Sequence, residues 1–178
     1  MADTKVLHTK EAIDQRVVEM AKEIAEDFKG QKVVMIGILK GSFVFFADLV
    51  RALYVEGLRE VVVDFVTISS YGQGTTYSGK SHVLSDITQD IADKNVLVVE
   101  DIVDSGHTLV FVREYLLAKK PSSLKFAVFL DKIERREVSF TPDYLGFTLE
   151  GTPWIEGYGL DGGEYGRGRP EVAAKVTS

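Results

Sequence analysis

Apolar and polar positions along the first part of the chain predict helices and buried strands in turn. Residues 9–28 carry apolar side chains at helical spacing, with Thr9 placed to cap the start of a helix and Gly30 to end it. Residues 33–39 form a continuous apolar run typical of a strand that is buried on both faces, and residues 43 to about 53 again show helical spacing. Strand and helix therefore follow each other from the start of the chain.

The same alternation continues through the middle of the sequence. β-Branched residues at 61–68 predict a second strand, residues 95–99 a third and residues 124–130 a fourth, while residues 108–118 predict the helix between the last two. Residues 69–81 are polar and contain several glycines, which predicts a long mobile loop. Alternating strands and helices indicate an α/β fold, with a central parallel sheet flanked by helices.

The last part of the chain is less regular. Beyond residue 134 the pattern breaks into short extended pieces and a glycine-rich tail. An apolar strand is expected near the C-terminus, but none is evident after Arg167, so the pairing of the tail stays open. With 178 residues, the chain has the size of one compact domain.

Composition excludes several classes of function. A net charge of −6 argues against nucleic acid as a partner, because neutralising phosphates requires a basic face. The absence of cysteine excludes disulfides, thiolate catalysis and sulfur-ligated zinc, and it makes the cytoplasm the expected location. No apolar run approaches the ~20 residues that a membrane helix needs, and no signal-peptide pattern is seen, so no membrane partner is expected.

Polar or charged residues follow each predicted strand at its carboxyl end. In open parallel sheets, ligands bind at this edge, where the loops lead into helices. The segments to consider are Lys40-Gly41, residues 69–81, residues 100–108 and Asp131-Lys132.

The segment after the third strand carries the strongest chemical signal. Glu100 and Asp101 are adjacent carboxylates that could accept hydrogen bonds from a sugar diol or hold magnesium through water. Residues 105–108 open a helix, so backbone N–H groups, two hydroxyls and the helix dipole converge on a point suited to a phosphate. Alternatively, the acids are solvated and Asp104 or Ser105 only caps the helix. The position of the run between a buried strand and a helix favours a functional site for a ribose phosphate.

Residues 98–108 resemble the phosphoribosyl diphosphate (PRPP) signature of the type I phosphoribosyltransferases. Further segments resemble the hypoxanthine-guanine branch of that family in the same order along the chain. They are residues 38–43, residues 69–72, residues 130–132 with Arg135 and Arg136, and residues 154–161. The resemblance covers nearly the whole chain.

This resemblance implies a fold and an activity. The expected architecture is the type I phosphoribosyltransferase fold in a single domain spanning residues 1–178, with its core at about 32–135. A small hood subdomain would come mainly from residues 136–178 together with the N-terminal segment. The implied activity is purine salvage, in which the 5-phosphoribosyl group of PRPP is transferred to hypoxanthine or guanine to give IMP or GMP and pyrophosphate.

The resemblance also assigns the contacts to PRPP. Glu100 and Asp101 would bind the ribose hydroxyls and help to position magnesium, and Asp104 would act as the catalytic base or acid at N7 of the purine. The residues that would hold the 5-phosphate are Asp104, Ser105, Gly106, His107 and Thr108. Those expected at the pyrophosphate are Lys40, Gly41 and Arg167.

The purine would be bound by residues from elsewhere in the chain. Lys132 would donate a hydrogen bond to the 6-oxo oxygen, and Trp154 would stack on the base. Ile155 would flank the purine, and Asp161 would complete this side of the site and bind a second magnesium. A buried core position is the alternative for Trp154.

A mobile loop, a cofactor and partners follow from the same resemblance. Ser70 and Tyr71 would begin the loop that closes over the reaction centre and excludes water, with a disordered surface loop as the alternative. Magnesium is the expected cofactor, since His8, His82 and His107 lie at spacings that make no recognisable metal site. The expected partners are PRPP, a purine base and further copies of the chain in a homo-oligomer.

Two other functions are compatible with parts of the pattern. One is a non-catalytic regulator that senses PRPP, although Asp104, Lys132 and Arg167 together oppose it, because a sensor needs no base catalyst and no pyrophosphate ligands. The other is an enzyme acting on adenine or a pyrimidine, against which Lys132 argues.

Glu156 departs from the family pattern, which usually has an apolar residue at this place beside the base. Gly162 and Gly163 likewise replace bulkier residues. The Glu156 carboxylate could face a donor on the base or point to solvent. The solvent-facing orientation is favoured because an unpaired buried charge is costly.

Overall fold

The larger of two sheets forms the centre of the molecule. The computed structural model describes residues 4–70, 81–163 and 165–176. The order of strands in the six-stranded sheet is β4 (Ser81–Ser85), β3 (Val61–Ser70), β2 (Val33–Leu39), β5 (Asn95–Val103), β6 (Ser123–Asp131) and β7 (Tyr144–Thr148). All neighbours are parallel except β4, which pairs antiparallel with β3. The predicted α/β fold with a central parallel sheet is confirmed.

Three helices cover the two faces of this sheet: α1 (Lys10–Asp27), α2 (Phe43–Val55) and α3 (His107–Leu117). Strand β5 shows why both faces are apolar. Leu97 and Val99 pack into the cluster that contains α1 and α2, whereas Val96 and Val98 pack into the cluster that contains α3. Because alternate side chains of a strand point to opposite faces, a strand covered on both sides has to be apolar throughout.

A second sheet of three strands is built from both ends of the chain. Strand β9 (Val172–Lys175) lies between β1 (Thr4–His8) and β8 (Ile155–Glu156), and both pairings are antiparallel. The C-terminal strand that was not evident in the sequence is therefore present. It is short and contains two alanines, so its apolar pattern is weak.

Most predicted elements agree with the observed ones to within a few residues. Thr9 caps α1 as expected, since its hydroxyl accepts a hydrogen bond from the backbone N–H of Ala12 at 3.3 Å. Strand β5 extends to Val103, so Glu100 and Asp101 lie within the strand and not after it. Strand β7 falls in the segment that was expected to form the hood, but it belongs to the large sheet.

The predicted mobile loop can be compared with the structure only in part. Residues 69 and 70 end β3 and Ser81 begins β4, whereas residues 71–80 lie outside the described residues. Across the described ranges, none of the helices is both long and apolar enough to span a membrane.

Asp64 is a buried carboxylate that fastens the segment after β4 to the sheet. Its Oδ1 accepts a hydrogen bond from the N–H of Phe65 at 2.8 Å, and its Oδ2 accepts from those of Thr88 at 2.7 Å and Gln89 at 2.8 Å. Burial raises the pKa of Asp64, but these hydrogen bonds outweigh it and hold the pKa below its ordinary value. The ionised form is therefore stabilised by folding.

We expect Asp64→Asn to lower the free energy of unfolding by about 1–3 kcal/mol at neutral pH, because the amide cannot accept all of these bonds. The folded pKa lies below the unfolded one. The contribution of the carboxylate is thus complete above the unfolded pKa and is lost as the pH falls through the folded value. Urea denaturation of both proteins, at neutral pH and near pH ~3, measures this. A difference that stays constant down to the lower pH would contradict it.

Candidate active site

A cleft of about 300 Å³ lies at the carboxyl ends of β2, β5 and β6. From the large sheet, the predicted site residues that line it are Gly41, Asp101, Asp104 and Lys132. From the segment that leads to β9, they are Trp154, Ile155, Asp161 and Arg167. The structure thus brings together the residues that were predicted at the ribose, the pyrophosphate and the purine.

Lys40, Ser70 and Tyr71 were also predicted as residues of the site. Lys40 is exposed beside Gly41, and the Leu39–Lys40 peptide bond is cis. Ser70 ends β3, where it pairs with Ser81, and Tyr71 lies outside the described residues.

Three chain segments meet closely at Gly41. A Cβ on this residue would overlap the carboxylate of Asp101 and would lie only 2.5 Å from its Cγ. On the other side, a Cβ on Gly159 would overlap the carbonyl of Gly41. A side chain at Gly41 would displace the Asp101 carboxylate and one at Gly159 would meet backbone, so the turn after β2 packs closely against β5 and against the segment that carries Asp161.

Residues 104–106 form the turn between β5 and α3, and His107 and Thr108 are the first residues of α3. Gly106 has a φ of 92° and is backed by Val138, whose carbonyl would lie 3.0 Å from an added Cβ. The carbonyl of Ser105 accepts hydrogen bonds from the N–H groups of Glu137 at 3.0 Å and Val138 at 3.2 Å. The turn is held from behind, so its N–H groups and the Ser105 residue lie directly before the N-terminus of α3 in a fixed arrangement suited to an anion.

Glu100, which is buried, and Asp101, which is half-buried, form a pair of adjacent acids in β5. The Glu100 Oε1 accepts from the backbone N–H of Asp101 at 3.0 Å, and Asp101 Oδ1 accepts from that of Ile102 at 2.9 Å. Burial raises the pKa of Glu100 well above its ordinary value, and the charge of Asp101 raises it further. Burial also raises the pKa of Asp101. A cation or the hydroxyls of a sugar would favour the ionised forms of such a pair.

Asp104, the predicted catalytic residue, makes an ion pair that the sequence analysis did not anticipate. Its Oδ1 accepts a hydrogen bond from Nε of Arg135 at 2.7 Å. The two residues are 31 positions apart, and only the arginine pair at 135–136 in the motif could have drawn attention to this contact. Arg135 therefore joins the residues of the site.

The neighbouring Arg136 makes two hydrogen bonds to the carboxylate of Asp131, at 3.1 and 2.8 Å, and donates to the carbonyl of Phe140. Asp131 is buried at the end of β6. Arg136 thus fixes the strand end from which Lys132 projects.

Lys132 and Trp154 lie together at the purine end of the cleft. The Lys132 Nζ donates to the carbonyl of Pro153 at 3.0 Å, and burial lowers the pKa of this amine. Trp154 is 52% exposed, which excludes a core position for it. Ile155 is buried beneath this edge of the cleft. An amine donor and a large open aromatic face are therefore presented side by side.

Asp161 and Arg167 neutralise each other in the structure. The Arg167 side chain donates to Oδ2 of Asp161 at 2.6 Å and to the carbonyl of Gly159 at 2.6 Å. The other carboxylate oxygen of Asp161 accepts from the N–H of Gly163 at 2.8 Å. A ligand that used either side chain would have to exchange with this ion pair.

The preferred orientation of Glu156, towards solvent, was wrong. Its side chain is only 15% exposed, and Oε1 lies 3.0 Å from Arg169 while Oε2 lies 3.8 Å from Lys175. Glu156 is not among the residues that line the cleft, because its neighbour Ile155 takes the cleft-facing side of β8. Both cations come from the tail, whose pairing was open in the sequence, so the carboxylate is paired and its burial is not costly.

The acidic residues of the site are better suited to magnesium that binds together with a substrate than to a metal site formed by protein side chains alone. Within residues 4–70, 81–163 and 165–176, no group of three or more acidic, histidine or cysteine side chains is arranged to hold a metal. Magnesium is usually bound by one or two carboxylates together with substrate phosphates and water. Glu100, Asp101 and Asp161 are the acidic side chains that could supply such carboxylates.

Comparison with known proteins assigns the family. Residues 3–161 match the family model of the phosphoribosyl transferase domain. The hypoxanthine-guanine phosphoribosyltransferase of Aquifex aeolicus is 48% identical over 169 residues, which cover 94% of this chain and 92% of the relative.

Two solved structures extend this similarity to the fold. The Bacillus anthracis hypoxanthine-guanine phosphoribosyltransferase aligns with a TM-score of 0.89 and 44% identity, covering 99% of both chains. A Trypanosoma cruzi hypoxanthine phosphoribosyl transferase aligns with a TM-score of 0.91 and 40% identity, covering 98% of this chain and 92% of that one. The study of that enzyme concerns the role of its C-terminal region in oligomeric state and activity.

These relatives are enzymes by name, so they do not favour a regulator that only senses PRPP. The matched segment 3–161 includes the acids of β5 and all the residues that line the cleft except Arg167. The chain belongs to the phosphoribosyltransferase family, in its hypoxanthine-guanine branch.

Proposed function

We propose that the chain transfers the 5-phosphoribosyl group of PRPP to a 6-oxopurine, hypoxanthine or guanine, and releases pyrophosphate. The observation that carries this proposal is the shared cleft. Asp101, on the predicted ribose side, lines the same cavity as Lys132 and Trp154, on the predicted purine side. Asp104 lines it as well.

The residues of β5 and of the following turn would hold the phosphoribosyl group. The carboxylates of Glu100 and Asp101 accept hydrogen bonds from the ribose hydroxyls, and residues 104–108, the turn after β5 and the start of α3, receive the 5-phosphate. With both ends of the sugar fixed, C1 faces the purine side of the cleft. A purine nitrogen then forms a bond to C1 as the bond from C1 to the pyrophosphate oxygen breaks.

Asp104 would accept or return the proton on N7 of the purine in this step. A carboxylate that takes or returns this proton keeps charge from building up on the base while the glycosidic bond forms. Arg135 holds the carboxylate from one side at 2.7 Å and so fixes its direction.

The pyrophosphate would lie against the turn after β2 and against Arg167. We propose that Arg167 exchanges its contact with Asp161 for the pyrophosphate, while the backbone at Lys40 and Gly41 binds it from the other side. Magnesium bound through Glu100, Asp101 and Asp161 would supply positive charge to the departing group.

Lys132 would select the base. A protonated amine donates to the 6-oxo oxygen of hypoxanthine or guanine but finds no acceptor in the 6-amino group of adenine. Since Glu156 is turned away from the cleft, its carboxylate does not contribute to this choice directly.

One assay tests the proposal. The protein is incubated with PRPP and magnesium against hypoxanthine, guanine, xanthine, adenine and uracil, and the nucleotide formed is measured. Turnover with hypoxanthine or guanine is expected. Absence of turnover with every base would refute the enzymatic function, and turnover with adenine or uracil alone would refute the role of Lys132.

The domain division and the assembly are further parts of the proposal. We propose that the three-stranded sheet is the hood above the cleft, because β8 follows Trp154 directly. A cytoplasmic location stays a prediction.

We also propose a homo-oligomer, since Phe43 at the start of α2 and Val63 and Phe65 on one face of β3 leave apolar surface exposed.

Val63→Lys is expected to weaken that assembly, because the substitution places a charge within the apolar surface. Light scattering after size-exclusion chromatography measures the mass of the particle. Val6→Lys is the matched control, since Val6 is similarly exposed but lies on the small sheet. A wild-type protein that is already monomeric, or equal masses for both variants, would contradict this contact surface.

A further inference from the structure

Lys175, in the last strand, touches the purine end of the site without lining the cleft. Its backbone N–H donates to the carbonyl of Trp154 at 2.9 Å. Its Nζ lies 5.8 Å from the centroid of the Trp154 ring and donates to the carbonyl of Gly162. One side chain therefore joins the aromatic residue proposed to stack on the purine to the residue that follows Asp161.

Glu156 holds this lysine in place. Its Oε2 lies 3.8 Å from the Lys175 Nζ, and its Oε1 lies 3.0 Å from Arg169. Arg169 is fixed in turn by Glu171 at 2.7 Å and by the Thr4 hydroxyl at 3.3 Å. The charges within this group balance, so it is not arranged to receive a charged ligand. Instead, Lys175 in this group contacts the Trp154 ring and the carbonyl of Gly162.

Two glycines of the neighbouring segment, Gly162 and Gly166, pack closely against the Glu156 side chain. A Cβ on Gly162 would overlap the Glu156 carboxylate and would lie 2.7 Å from Glu156 Cβ. A Cβ on Gly166 would lie 3.2 Å from Glu156 Cβ. Gly162 and Gly166, which lie between Asp161 and Arg167, thus pack directly on Glu156.

We propose that Lys175, anchored by Glu156, is a positioning residue for the purine. It fixes the Trp154 ring through a cation–π contact and through the backbone bond to the same residue. Through the carbonyl of Gly162, it also ties this ring to the segment that carries Asp161. The inference rests on the proposed function, since it requires that Trp154 forms one wall of the base site.

Lys175→Met tests this role, because methionine keeps most of the chain length and removes the ammonium group. We expect the Kd for GMP to rise about fivefold, and the Kd for PRPP with magnesium to stay within about twofold of wild type. Both are measured by titration calorimetry. Lys175→Arg should restore GMP binding, since a guanidinium also stacks on an aromatic ring. Lys5→Met is the matched control, because Lys5 is an exposed lysine on β1, the neighbouring strand.

Trp154 is the only tryptophan of the chain, so fluorescence reports on its ring without any turnover. The emission of the ligand-free protein should change in Lys175→Met and stay as in wild type in Lys5→Met. Should Lys175→Met fail to fold, Glu156→Gln provides the second test. It removes the charge beside Lys175, and it should raise the Kd for GMP about threefold while the Kd for PRPP stays within about twofold of wild type.

The outcomes separate the inference from the proposed function. A wild-type protein that binds neither GMP nor PRPP overturns the proposed function. A wild-type protein that binds both, together with a Lys175→Met variant whose GMP affinity and emission are unchanged, overturns the inference alone. An equal loss of affinity for GMP and PRPP also overturns it, because it would show a general structural role.

Discussion

Replacing Asp104 with asparagine is expected to lower kcat by about 10²–10⁴-fold, the range typical for loss of a general acid–base residue. Asparagine has the same shape and can still accept a hydrogen bond from Arg135, but it cannot take a proton from the purine. The Kd for PRPP should remain close to that of wild type, since Glu100 and Asp101 keep their contacts. Steady-state kinetics with hypoxanthine and calorimetry with PRPP measure the two effects separately.

Asp86→Asn is a suitable control for Asp104→Asn. Asp86 is a partly exposed aspartate that pairs with Lys119 at 2.9 Å, and it does not line the cleft. Its replacement removes the same kind of ion pair and should leave kcat unchanged. If Asp104→Asn turned over as fast as this control, Asp104 would not be the catalytic base.

Gly41→Ala is expected to reduce kcat/KM for PRPP by at least about 10²-fold, as a shift of ~1 Å in positioned groups does. The added methyl group would occupy the space of the Asp101 carboxylate. Either the turn after β2 or the acid of β5 has to move, and both are proposed to contact PRPP. Kinetics at varied PRPP concentration measure the loss, and thermal unfolding shows whether the variant is folded.

Gly57→Ala separates this overlap from the general cost of replacing a glycine. Gly57 has a φ of 97° but no atom within 4 Å of an added Cβ, and it does not line the cleft. Its replacement should cost some stability and leave kcat/KM for PRPP as in wild type. A Gly41→Ala enzyme with unaltered kcat/KM would show that the turn does not need its close approach to Asp101.

The main elements of the fold follow from the periodicity of the sequence. Strand β2 was predicted with its observed ends, because a strand covered on both faces is apolar at every position. The strands that were missed are short or lie at edges, as β1, β4 and β9 do, and such strands have little apolar pattern to detect. The end of β5 was placed too early because Glu100 and Asp101 interrupt the apolar run although the strand continues.

The site could be predicted where chemistry and position coincide in the sequence. The rule that ligands bind at the carboxyl ends of parallel strands indicates the segments that contain Asp101, Asp104 and Lys132, and the family resemblance implies their roles. The pairing of side chains could not be predicted from the sequence. Arg135 with Asp104 and Glu156 with Arg169 depend on side-chain directions in segments without regular periodicity, so only the folded structure identifies them.

The small sheet has a consequence for the order in which the protein folds. In the small sheet, β1 pairs with β9 between residues far apart in sequence, Thr4 and Lys175. In the large sheet, the sequence separation between β5 and β6 is much smaller, since Asn95 pairs with Ser123. Closing the longer loop costs more chain entropy, so the large sheet is expected to form first. On the ribosome, β8 lacks its neighbour until β9 has emerged. The wall that carries Trp154 is therefore completed last during synthesis, after the rest of the cleft has taken shape.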